Sequence, residues 1–208
     1  MLKFRIRKKD KTTKARLGVL TTPHGVIRTP AFMPVGTQGT VKTLTPQMLH
    51  EAQSQIILSN TYHLYIRPGL DIIKKHGGLH SFMGWDGPIL TDSGGYQVFS
   101  LARLRNVTPE GATFNSHFDG RKITFTPESV VHAQEILGSD IAMVFDECLP
   151  YPSSKKAVTE SVNLTYAWAR RSKAAHRRKT QALFGIMQGG IYPELRMQSL
   201  EQIVSLQF

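Results

Sequence analysis

Short apolar runs that end in a polar residue and hand over to a helix-forming segment recur along this chain. That recurrence restricts the fold more than any other feature. Gln55–Ser59 empties into Asn60, Ile89–Leu90 into Asp92, Asp140–Phe145 into Asp146–Glu147, and Leu183–Met187 into Gln188. Apolar runs of this length bounded by turn residues read as buried strands. Strands alternating with helices build a parallel sheet through right-handed crossovers. In such folds the carboxyl ends of the strands share one face, and ligands collect there. Asn60, Asp92, Asp146 and Gln188 are therefore expected on one edge, around one pocket. The competing reading is that each tip only caps the helix that follows it.

The stretch Ile89–Ser100 is the most informative of these. An apolar run delivers Asp92 into Ser93-Gly94-Gly95, with Tyr96 next. Paired glycines at a strand end permit positive φ and let a ligand approach the main chain. A carboxylate, exposed N–H groups and an aromatic ring suit a flat, nitrogen-rich ligand such as a nucleobase.

Elsewhere the pattern is plainer. Residues 1–28 read as a basic segment of edge strands, with a turn at Thr22–Gly25. Thr45-Pro46 opens a short helix to Ala52, and Pro68 to Lys75 is a helix stopped by Gly77-Gly78. Residues 79–87 read as a loop and Val107–Gly111 as a turn. Asp119-Gly120 marks the tip of a hairpin, so 107–125 reads as a β insertion. A helix from Pro127 to Leu137, a long helix from Lys155 to Lys179 and a last one from Pro193 complete the chain. The whole of 1–208 reads as a single, incomplete (β/α) domain; its 208 residues fall short of the roughly 250 of a closed eight-fold barrel.

Charge narrows the partners. The net charge of +11 is concentrated in two stretches. Residues 1–16 hold eight Lys/Arg against Asp10 alone. Residues 170–179 hold Arg170, Arg171, Lys173, Arg177, Arg178 and Lys179 with no acid. Two basic patches on a near-neutral body fit a polyanion, most naturally nucleic acid; a solvated tail and a solvated helix face are the plainer explanation of either patch alone. The single cysteine, Cys148, excludes an internal disulfide and a zinc site built on several thiolates of this chain. No apolar run reaches the ~20 residues of a membrane span, and nothing resembles a signal peptide, so a cytoplasmic protein is expected.

Guanine is a ligand that such tips suit. Its N1–H and exocyclic amine form a donor pair that a carboxylate accepts in bidentate fashion. Its O6 takes a donor such as Gln188, and Asp92 or Asp146 has the chemistry to move a proton on and off the base.

Phe32–Thr37, Ser59–His63, Arg67–Gly69, Leu90–Val98, Phe145–Cys148 and Phe184–Gly189 together closely resemble the bacterial tRNA-guanine transglycosylases, or queuine tRNA-ribosyltransferases. The resemblance runs in order over nearly the whole chain. It implies a TIM barrel with β insertions, here about five β/α units. It implies an enzyme that exchanges guanine at the anticodon wobble position of tRNA for a 7-deazaguanine precursor of queuosine, through a covalent ribosyl-enzyme intermediate. Matched by motif, Asp92 resembles the proton acceptor. Ser93, Gly94, Gly95 and Tyr96 resemble the loop around the base, Asp146 the carboxylate that reads the guanine edge, and Gln188 the amide on its other side. Cys148 resembles a residue of the pocket lining. A homodimer is the family's usual state.

The chain also departs from the family pattern. The resemblance implies a later aspartate that attacks the ribose and a Cys/His zinc site, and neither has a counterpart here. The expectation is an N-terminal piece, inactive by itself. The alternatives are a non-catalytic module that binds tRNA or a subunit through Arg170, Arg171, Lys173, Arg177 and Arg178, and a barrel enzyme acting on a free nucleoside or sugar. The basic patches count against the last.

Overall fold

The computed structural model describes residues 2–101 and 105–208. Along the chain come strands β1 (Lys3–Lys9), β2 (Arg16–Thr22) and β3 (Gly25–Thr29), then helix α1 (Pro46–Glu51). Strand β4 (Ile57–Ser59) leads into helices α2 (Thr61–Ile66), α3 (Leu70–Lys75) and α4 (Leu79–Met83). Strand β5 (Ile89–Thr91) is followed by α5 (Gly95–Leu101) and strands β6 (Arg105–Thr108), β7 (Gly111–Asn115) and β8 (Lys122–Phe125). Helix α6 (Pro127–Leu137), strand β9 (Ile141–Met143), helix α7 (Lys155–Ala175), strand β10 (Ala182–Phe184) and helix α8 (Pro193–Ser205) complete it. The class is α/β with a parallel sheet, in the order β10–β9–β5–β4. Ile57 stands opposite Ile89, and Leu90 opposite Ile141, in parallel register.

The chain forms two compact units. The first comprises Met1–Asp92, Glu135–Ala142 and Arg178–Ala182. Its core joins Ile57 of β4, Ile89 of β5, Leu64, Ile73, Leu79, Trp85 and Leu137. Ile57, Leu64, Ile73, Leu79, Ile89 and Leu137 have no exposed surface, and each is worth about 1.5–3 kcal/mol of burial. Helix α1 begins as its sequence dictates: Thr45 Oγ1 accepts from Met48 N–H at 3.2 Å and Pro46 occupies the first turn.

The second unit comprises Ser93–Gln134, Met143–Arg177 and Leu183–Phe208. Aromatic rings fill it. Phe114 meets Phe125 edge-on at 5.1 Å, and Phe145 stacks on Trp168 at 4.6 Å and 13°. The buried Gln134 amide pairs the end of β9 at Met143, one residue past those that β5 pairs. Its Nε2 donates to Met143 O at 2.8 Å and its Oε1 accepts from Met143 N–H at 2.9 Å. Helix α7 starts on Ser154, whose side chain accepts from Ala157 N–H, and buries Val158, Val162 and Trp168.

Several boundaries differ from the sequence expectation. The 79–87 loop contains α4, entered from Gly78 at φ 109° and closed by Gly84 at φ 66°. Five residues are too few for a hydrophobic period to register. The polar cluster after Ser59 turns into α2, with Tyr62 and Leu64 buried. The segment read as a turn at 107–111 holds the end of β6, so the insertion is a three-stranded antiparallel sheet, β6–β7–β8. Helix α7 ends at Ala175 with His176 extended, so Arg177, Arg178 and Lys179 lie beyond it.

Candidate active site

In the second unit three of the expected residues meet around one carboxylate. Asp146 follows β9 on an extended segment anchored by Val144 N–H, which donates to Phe184 O at 3.0 Å, and by Phe145, packed against Trp168. Ser93 Oγ donates to Asp146 Oδ1 at 2.8 Å, and Gln188 Nε2 donates to Asp146 Oδ2 at 2.7 Å. Ser93 is itself oriented: its Oγ accepts from Gly95 N–H at 3.2 Å. Gln188 is held from behind, its N–H donating to Ser199 Oγ of α8 at 2.9 Å.

The glycines are required by space. A Cβ on Gly95 would stand 2.4 Å from Asp146 O and 2.9 Å from Asp146 Oδ1. Any side chain there would evict the carboxylate. Gly94 takes φ 80°, which turns the chain from the strand end into α5. Tyr96, the next residue, is 60% exposed, with its ring tilted 6.2 Å from that of Phe99.

Two hollows open beside this segment. One is lined by Gly95, Phe99, Arg105, Asp146, Glu147 and Cys148. The other is lined by Cys148, Tyr151, Gln188, Gly189, Gly190 and Tyr192. Asp146 lines the first and Gln188 the second. Burial pushes the Glu147 carboxyl up, against opposing effects of Ser161 and Arg105. Burial and the Asp146 charge push the Cys148 thiol up as well. A raised thiol is a poor nucleophile, so Cys148 acts as lining. Glu147 and Arg105 were not singled out from the sequence; no spacing signal distinguishes them from solvated charges.

Asp92 belongs to the first unit and has its own partners there. Asn60 Nδ2 donates to Oδ2 at 2.6 Å, and Thr61 N–H, at the start of α2, donates to Oδ1 at 2.9 Å. Thr61 Oγ1 donates to Asp92 O at 2.6 Å. The capping expected of a strand-end acid is therefore present, but it serves α2 rather than the helix that follows Asp92.

The basic cluster is largely engaged with its own protein. Arg171 clasps Glu128 through two contacts of 2.8 Å and reaches Pro109 O at 2.7 Å and Glu110 O at 3.1 Å. Lys173 Nζ donates to Gln207 O at 2.9 Å, and Arg178, in the first unit, to Glu135 O at 3.1 Å. Arg177 donates to His176 O at 3.2 Å. Arg170 is exposed on α7.

One metal-ligand trio occurs among the described residues: His24, His80 and Asp140, with ligand atoms within 4.8 Å of one another. It does not fit a metal. The carboxylate already accepts Ile89 N–H at 2.9 Å and His24 N–H at 3.2 Å. The two imidazoles stack at 3.7 Å with planes only 20° apart. A bound metal must lie in the plane of each ring, and planes so nearly parallel meet far from either nitrogen. The trio is a hydrogen-bonded clamp on a buried aspartate, and the sequence reading missed it.

Comparison with known proteins places the chain. The sequence profile described as Queuine tRNA-ribosyltransferase matches residues 10–208. A queuine tRNA-ribosyltransferase of Desulforamulus reducens is 57% identical over 207 residues, covering 100% of this chain and 56% of the relative. One from Thermoanaerobacter sp. (strain X514) is 59% identical over 208 residues, again covering 56% of the relative. One from Pelotomaculum thermopropionicum is 56% identical over 205 residues, covering 55%. The chain thus spans a little over half the length of these curated relatives. With the profile matching almost end to end and identity this high, the chain belongs to the queuine tRNA-ribosyltransferase family.

Proposed function

We propose that this chain carries the base-recognition part of a tRNA-guanine transglycosylase, which exchanges guanine at the tRNA wobble position for a 7-deazaguanine precursor of queuosine. The observation that supports this best is the Asp146 carboxylate, held between Ser93 and Gln188 over a Gly95 that admits no side chain. Its lone pairs accept the paired N1–H and amine donors of a guanine edge. Gln188 has a second N–H for O6, and the exposed ring of Tyr96 offers a face to the base.

On this reading Asp92 is the proton acceptor. The Asn60 and Thr61 donors hold its carboxylate in place. In the exchange, the C1′–N9 bond to guanine breaks as C1′ bonds to an enzyme carboxylate. The departing N9 takes the electron pair and a proton from Asp92 in its acid form. The incoming base then displaces that carboxylate, and its N9 proton passes to Asp92. No residue within 1–208 is assigned the attack on ribose, so the chain alone is expected not to turn over. A barrel architecture of about five β/α units here, a homodimer and a cytoplasmic setting belong to the same proposal; no helix among the described residues is long and apolar enough to cross a membrane. Zinc, implied by the resemblance, is given no ligands here, because the His24–His80–Asp140 trio does not fit it.

Incorporation of radiolabelled guanine into tRNA tests the reading. The 208-residue chain is compared with a protein completed by the remaining part of a relative. Exchange by the completed protein alone is expected, and its loss in Asp146→Ala. Turnover by the 208-residue chain would remove the need for a further carboxylate. Full activity in Asp146→Ala would remove the proposed edge contact.

A further inference from the structure

The N-terminal sheet has two unlike faces. In β2 and β3, Gly18, Thr22 and Ile27 are buried, while Leu17, Thr21, Val26 and Arg28 are exposed. The register carries this division across all three strands. Lys3 pairs with Thr21 and Arg5 with Val19; Val19 in turn pairs with Arg28. A bulge between Ile6 and Lys8 inserts Arg7 and brings Lys8 opposite Leu17. Lys8 thereby joins the outward set that strict alternation would have denied it. Within the strands the outward face carries Lys3, Arg5, Lys8 and Arg28; the carboxylate of Asp10, which follows β1, accepts from the Thr12 and Thr13 N–H groups at 2.9 and 2.7 Å. Among the described residues none of the four has an ion-pair partner. All seven residues of β1 are exposed.

We propose that this face of β1–β2–β3 is a docking surface for the phosphate backbone of RNA. Four cations spread over three strands, with alternate residues roughly 7 Å apart along a strand and neighbouring strands about 4.8 Å apart, match an extended polyanion rather than one small anion. Charge complementarity carries the choice of partner. The aromatic of β1, Phe4, lies on the other face, its ring 2.5 Å from where a Cβ on Gly18 would stand. The outward face therefore has no ring on which a base can stack, and contact through phosphates alone is sequence-independent. The inference rests on the proposed action on tRNA for its choice of RNA, and assigns part of the substrate's grip to a surface apart from the base-reading residues.

Binding of a tRNA transcript to the protein, measured by filter retention between 50 and 200 mM salt, on the order of the usual test range, decides it. The variant K3Q/R5Q/K8Q/R28Q is expected to bind more weakly, with the slope of log K against log salt flatter by about 3. A second variant, Thr21→Glu with Val26→Glu, places negative charge on the same face and is expected to weaken binding likewise. The matched pair R5Q/R28Q should exceed K74Q/K75Q, which removes equal charge from α3. An unchanged slope in the quadruple variant, equal effects of the matched pairs, or retention on anionic lipid vesicles in place of RNA overturns the proposal. Guanine exchange by the completed protein is read separately: its absence there counts against the transglycosylase reading, while the salt slopes still judge the sheet.

Discussion

Gln188 Nε2 donates to Asp146 Oδ2 at 2.7 Å across 42 residues of chain. Two strand-end loops are thus joined by a charge-assisted hydrogen bond, and Ser93 supplies a second donor to the same carboxylate. The arrangement orients an anion before any ligand arrives, so little reorganisation is left for binding.

Asp146→Asn removes the charge and replaces one acceptor by an amide that faces a donor. Charged hydrogen bonds contribute about 1.5–3 kcal/mol each, so guanine affinity is expected to fall roughly 10- to 100-fold. Gln188→Ala leaves the carboxylate in place with one donor fewer and should cost less, about tenfold. Calorimetric titration with guanine reads both. Equal affinity of Asp146→Asn and the parent protein would show that the base is not read through this carboxylate.

Gly95 and Gly120 make a matched pair of tests. A Cβ at Gly95 meets Asp146 O at 2.4 Å, whereas one at Gly120, with φ 73°, meets nothing within 4 Å. Gly120→Ala therefore adds only left-handed strain of about 1–2 kcal/mol. Gly95→Ala must also move main chain and should cost more, about 3 kcal/mol, and abolish guanine binding. Urea unfolding gives the two stabilities. A smaller loss for Gly95→Ala than for Gly120→Ala would mean that the α5 entry shifts freely.

Arg170 and Arg171 are neighbours in sequence with different employment. Arg171 ties Glu128 to the carbonyls of Pro109 and Glu110, and its removal is expected to cost about 1 kcal/mol of stability, given its exposure and solvent screening. Arg170→Ala should leave stability within about 0.5 kcal/mol. If the helix face grips RNA, Arg170→Ala weakens tRNA binding at low salt more than Arg171→Ala does. The reverse order in a binding titration would show that the Glu128 clasp opens for the ligand.

How much of this was legible beforehand follows from the range of each interaction. Strands β4, β5, β9 and β10 announce themselves through local apolar runs that end in turn residues. The expectation that Asp146 and Gln188 share a strand-end edge needed only the βαβ rule. The partners of Asp92 were hidden, because Asn60 and Thr61 reach it by lying on the neighbouring strand end, which no local pattern encodes. The same holds for Gln134, whose helical position gives no sign that its amide completes β9. Helices α2 and α4 escaped because five or six residues hold less than two turns, too few for a 3.6-residue period to show. The bulge that brings Lys8 to the outer face of β1 is likewise a one-residue event that alternation alone misplaces.

Asp140 provides the clearest pH test. Its side chain is fully buried and faces His24 Nδ1 at 2.9 Å and His80 Nε2 at 3.3 Å. Burial by itself would push the carboxyl up. The close approach of His80, with hydrogen bonds from the Ile89 N–H and His24, outweighs that and holds it far below the usual value of 3.8. A carboxyl depressed in the folded state binds fewer protons there than in the unfolded chain. Its stabilisation is therefore complete above the unfolded pKa and is lost as pH falls toward the folded one. Asp140→Asn cannot accept all these donors and should cost about 3 kcal/mol at neutral pH. The difference in unfolding free energy between parent and variant should shrink steadily from about pH 5 downward. Taking the difference removes the shared titration of other depressed carboxyls such as Asp10 and Glu128. A difference that stays constant between pH 5 and 2, in denaturant titrations spanning roughly that carboxylate range, would mean that the clamp holds Asp140 by shape rather than by charge.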